Sequence, residues 1–122
     1  MSFRSSFLAA CLAVSLFAAD ATVDQAKKKI ADKKYDEAIA VLEPALKAKP
    51  KSVEVQKALS EAYTGKADSL MTNAALPPRQ KYPDALRAYR KAVDFDSTNA
   101  KAKQGIDTIE SIYKQMGRPI PQ

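Results

Sequence analysis

Apolar residues along the chain fall into five stripes with helical spacing, and no segment shows the alternation of a half-buried strand. Val23, Ala26 and Ile30 form the first stripe; Ala38, Ile39, Leu42, Ala45 and Leu46 form the second. A longer third stripe runs through Val55, Ala58, Leu59, Ala62, Tyr63, Leu70 and Met71. Ala85, Leu86, Tyr89, Ala92 and Val93 make the fourth, and Ala102, Ile106, Ile109, Tyr113 and Met116 the fifth. Breaks are expected at Pro50-Lys51-Ser52, at Pro77-Pro78 with Pro83, and at Asp96-Ser97-Thr98-Asn99. The pattern predicts an all-α chain of about five helices joined by short turns. Pro44 lies inside the second stripe, where the loss of one backbone donor predicts a bend.

Ahead of the first stripe, MSFRSSFLAACLAVSLFAADA has the layout of a secretory signal. Arg4 supplies the positive start, Phe7 to Ala19 the apolar run, and Ala19-Asp20-Ala21 the small-x-small site. That run is shorter than the roughly 20 residues a helix needs to cross a bilayer, which favours a cleaved signal over a retained anchor. The expected division is a signal peptide over 1–21, a helical domain over 22–116, and a disordered or extended tail over 117–122. Periplasmic or secreted placement follows, with no stable membrane span after cleavage. Leu8-Ala9-Ala10-Cys11 also resembles a lipobox, but fewer than a dozen residues precede Cys11 and an apolar stretch follows it, which argues against a lipid anchor.

The second and fourth stripes are copies of one pattern. YDEAIAVLEPALKAKP from Tyr35 and YPDALRAYRKAVDFDS from Tyr82 align without a gap. The alignment sets Tyr on Tyr, Ala38 on Ala85 and Ala45 on Ala92, with Ile39/Leu86, Leu42/Tyr89 and Leu46/Val93 in step. Alanines seven apart lie on one helix face and let a neighbouring helix approach closely. With these positions the chain resembles the tetratricopeptide repeat family. In that pattern Tyr is followed by Ala, a bulky residue, Ala again, and Pro after the helix; Tyr35, Ala38, Leu42, Ala45 and Pro50 supply all five. Tyr82, Ala85, Tyr89 and Ala92 supply four, with Ser97 in place of the proline. Leu59 and Tyr63 match a first helix in which Ser60 replaces the glycine. The two tyrosines stand 47 positions apart where the repeat has about 34, so the insertion is expected around Lys66 to Lys81, in the third helix and its loop.

The resemblance implies a short right-handed α-solenoid of helical hairpins whose first helices line a concave, partner-binding groove. Lys57, Glu61, Thr64 and Asp68, at spacings of four, three and four, form the polar stripe of the third helix and are the expected partner-binding residues. Lys27 on the first helix and Gln104 and Thr108 on the fifth are expected to flank them. The cationic and amide pattern that clamps a terminal carboxylate is not reproduced, since Val23 and Glu61 occupy its positions, so a mixed-charge partner is expected. Ile106, Ile109 and Met116 are expected to close the last apolar face, as solenoids require.

Composition narrows the chemistry. With no His, no Trp and a single Cys, the chain lacks the residues for a zinc site or for a Ser/His or Cys/His pair. No catalytic residue, metal ligand or cofactor is therefore assigned. The net charge of +6 is unchanged by loss of Arg4 and Asp20, and cleavage leaves a Cys-free chain suited to an oxidising compartment. Acidic residues interspersed with the lysines, together with export, argue against nucleic acid as the partner. The functional expectation is a protein–protein interaction scaffold in the bacterial cell envelope. The alternative is a structural or assembly subunit of a larger envelope complex without a ligand of its own.

Overall fold

The computed structural model describes residues 21–122, and within them the fold is all-α, with five helices and no strand. Helix α1 is described over 21–31. It is followed by α2 (Tyr35–Ala48), α3 (Val53–Thr72), α4 (Pro78–Phe95) and α5 (Ala100–Gln115). Residues 1–20 of the expected leader, including Arg4 and Cys11, lie outside the described residues. No helix among the described residues is long and apolar enough to cross a membrane.

Helix starts follow from local chemistry. The Ser52 hydroxyl accepts from the Val55 amide and caps α3, and the Asn99 carboxamide oxygen accepts from the Ala102 amide and caps α5. Helix α4 begins at Pro78, which needs no donor in the first turn and has its φ preset. Pro83 was expected within a break and instead lies inside α4. It forfeits one backbone bond. The turn before it is held by Tyr82, which packs against the core, and by Lys81, whose Nζ donates to the carbonyls of Asn73 (3.3 Å) and Met71 (3.5 Å). The long spacing between Tyr35 and Tyr82 is thus taken up by extra helical turns in α3 and α4, leaving only residues 73–77 as a connection.

The apolar stripes meet in two clusters that share α3. Val23 and Ala26 of α1, Ala38, Ile39 and Leu42 of α2, and Val55, Ala58, Leu59 and Ala62 of α3 make the first. Ala67 of α3 joins residues of α4 and α5, among them Leu86, Tyr89, Ile109 and Tyr113, in the second. Leu42, Leu59 and Leu86 are fully buried, each contributing about 1.5–3 kcal/mol of apolar transfer. The aligned alanines Ala38, Ala85 and Ala92 are likewise completely buried, whereas Ala45 is half-buried near the end of α2.

The chain end departs from the expectation for Met116, which is 48% exposed and closes nothing. Gly117 adopts φ +64°, and the amides of Gly117 and Arg118 donate to the carbonyls of Lys114 (3.1 Å) and Tyr113 (3.0 Å). This pair of bonds is the Schellman stop, which needs a left-handed residue that glycine supplies without strain. It turns the chain back. Ile120 then packs against the second cluster, and Arg90 Nη1 donates to the Pro121 carbonyl at 2.9 Å. The tail over 117–122 is non-helical and docked, and Ile120 takes the place expected of Met116.

Candidate functional site

The site is built on one face of α3. Two adjoining hollows lie along it. The first, about 620 Å³, sits between α1 and the start of α3, lined by Val23, Asp24, Lys27, Glu54, Lys57, Ala58 and Glu61. The second, about 410 Å³, continues along α3 past Ser60, Thr64, Gly65 and Asp68. Its walls are Ile30 and Tyr35 on one side and Asp96, Asn99 and Lys101 on the other. Lys57 and Glu61 line both hollows, so the two form one groove.

Beneath the groove a polar junction ties three helices together. Ser60 Oγ donates to the Ala92 carbonyl at 2.7 Å, near the end of α4. Thr64 Oγ1 donates to the Ser60 carbonyl at 2.7 Å. Asn99 Nδ2 donates to both hydroxyls, at 2.8 and 2.9 Å, while its Oδ1 caps α5. Ser60 is 1% exposed and Thr64 6% exposed. Each of these buried groups has its partners, which is what low-dielectric burial demands.

A second linkage crosses the groove wall. Tyr89 Oη donates to Asp68 Oδ1 at 2.5 Å, and Lys101 Nζ donates to Asp68 Oδ2 at 2.9 Å. Burial, followed by the bond to Asp68, pushes the Tyr89 phenol well above its ordinary value. The same carboxylate holds Lys101 above the usual lysine range. Asp96 accepts from Thr98 Oγ1 (2.6 Å) and the Thr98 amide (3.0 Å), and these bonds lower its pKa, so it stays ionised. At the groove floor Gly65 lies under the Tyr35 ring, where any side chain would overlap the ring.

The expected residues divide into three groups. Lys57, Glu61, Thr64 and Asp68 are brought together in the second hollow, and Lys27 joins Lys57 and Glu61 in the first. Of these, Lys27, Lys57 and Glu61 are exposed and form no salt bridge among the described residues. Thr64, expected to bind a partner, is instead buried and saturated by Ser60 and Asn99; Asp68 is half-buried and bound to Tyr89 and Lys101. Gln104 and Thr108 line neither hollow, and Thr108 Oγ1 donates only to the Gln104 carbonyl within α5. The reason is the course of α5, which packs along α4 and meets α3 only sparsely, so its groove residue is Lys101 near the first turn.

Spacing along α3 did not reveal Asn99, Lys101, Tyr35 or Asp96. A signal for Asn99 was present, because it ends the run Asp96-Ser97-Thr98-Asn99 of helix-capping residues. Among the described residues no group of three or more Cys, Asp or Glu side chains is placed to hold a metal ion. Comparison with known proteins returns no family model, no curated protein and no solved structure that matches the chain.

Proposed function

We propose that the chain is a protein-binding scaffold of the tetratricopeptide type, a short right-handed solenoid of helical hairpins exported to the cell envelope, which takes a segment of a partner protein on the α3 face. One observation carries the reading. Lys57 and Glu61 stand exposed and without salt bridges at the centre of a groove whose deeper polar groups already have their partners. Such a face retains its binding capacity for something outside the chain, and its floor is preorganised, which lowers the ordering cost of association.

The hairpin reading is supported by burial at aligned positions. Ala38 and Ala85 are both fully buried, Leu42 and Tyr89 are both core residues, and Leu46 and Val93 are both half-buried. Export rests on the pattern of Arg4, the Phe7 to Ala19 run and Ala19-Asp20-Ala21.

The test is a double charge reversal, Lys57→Glu with Glu61→Lys, which leaves net charge and the buried junction intact. Partner recovered with the protein from the native envelope should fall by about tenfold, with helicity and melting unchanged. Recovery only as a fixed-ratio complex that the reversal does not disturb would instead favour the structural-subunit alternative.

A further inference from the structure

The groove and the rest of the surface carry opposite charge. Lys27, Lys57 and Lys101 face five carboxylates in the groove: Asp24, Glu54, Glu61, Asp68 and Asp96. The remainder of residues 21–122 holds sixteen basic and eight acidic residues. An acid-rich groove is therefore set into a basic protein. Lys101 is taken by Asp68. The other six charges, four acidic and two basic, form no salt bridge among the described residues, and Asp96 is held ionised by Thr98.

From this complementarity we infer that the occupant of the α3 groove is a partner-protein segment bearing spaced lysines or arginines, a reading that rests on the proposed binding role of that groove. The recognition chemistry follows from the lining. Asp24, Glu54 and Glu61, which form no salt bridge, together with Asp96, whose Oδ1 accepts from Thr98, attract cationic head groups, and Lys57 between Glu54 and Glu61 separates the acids so that the charges are met one at a time rather than as a block. Aliphatic stems of such a segment have Ile30 and the half-buried Tyr35 ring to lie on, and the ring face attracts cations as well. The net-basic exterior disfavours the same segment elsewhere. Selectivity thus comes from repulsion outside the groove as much as from attraction within it.

The experiment uses fluorescent twelve-residue peptides with identical apolar positions and Lys, Glu or Gln at every third position, titrated into the purified protein. The Lys peptide should bind best, and its affinity should fall as salt rises. Glu54→Lys with Glu61→Lys should weaken it by about tenfold, while Asp94→Lys with Asp107→Lys, the same change in net charge at exposed positions outside the groove, should change it less than about twofold. Equal loss in both variants would overturn the inference, because only overall charge would then matter. Stronger binding of the Glu or Gln peptide, abolished by Lys57→Glu with Glu61→Lys, would overturn the basic-segment inference and leave the groove reading standing. Absence of binding by all three peptides would count against both.

Discussion

Tyr89 meets two demands with one side chain. Its ring is buried between α4 and α5, over Gly105, and its hydroxyl reaches Asp68 on α3. Burial first and the bond to Asp68 second raise the folded phenol above its unfolded value of about 10, so the stabilisation of the protonated phenol is fully present below that pH and is lost as pH rises through the folded value. Tyr89→Phe should therefore cost about 1–2 kcal/mol at neutral pH and flatten the fall in melting temperature above about pH 10. Thermal melts across alkaline pH measure this, and an unaltered alkaline limb would contradict the role given to the buried, Asp68-bound phenol. Gly105→Ala should also destabilise. A methyl there overlaps a ring pinned by burial and by Asp68, and overpacking of about 1–3 kcal/mol exceeds the roughly 1 kcal/mol gained in helix propensity. Gly65→Ala should cost less in the same melts, because the half-buried Tyr35 ring at the groove edge is freer to swing aside.

Among the elements, the shared alanines set how closely the helices approach. Ala38 on α2 and Ala85 on α4 are completely buried, whereas Ala48 at the end of α2 is exposed. Ala38→Leu and Ala85→Leu should each cost about 1–3 kcal/mol through overpacking, and Ala48→Leu much less. Denaturant midpoints give the comparison; equal small effects at all three positions would argue that the aligned alanines are not close-contact positions. The number, type and order of the helices were legible in the sequence because each helix buries one face, and burial writes a three-and-four spacing that Leu42, Leu59 and Leu86 follow. The start of α4 was not. Pro78 and Pro83 both read as breakers, yet one is an ideal first-turn residue and the other is carried by Lys81 and Tyr82, contacts that depend on where α3 ends. The returning tail was equally hidden. Gly117 signals a stop, but the docking of Ile120 and the reach of Arg90 to Pro121 are set by the α4–α5 surface rather than by the tail's own residues.

For the whole molecule, the groove depends on how α1, α3 and α5 are placed around one another. Helical spacing put Lys57, Glu61, Thr64 and Asp68 on one stripe, and they do line one hollow. Spacing carries no information on how α5 crosses α3, so Gln104 and Thr108 were named where Lys101 and Asn99 stand. It also does not separate a free hydroxyl from one consumed by Asn99, as Thr64 illustrates. The groove that results combines a saturated junction below with unpaired charges above, inside an otherwise basic surface. On the proposed reading a partner protein rests on this face. Site-specific photo-crosslinking in the native cells is the sharpest test, with the reactive group placed in turn at Lys57, at Glu61 and at exposed Lys91 of α4, which lies outside the groove. One discrete protein adduct shared by positions 57 and 61 and missing at 91 is expected. An adduct from position 91 with none from 57 or 61 would contradict it.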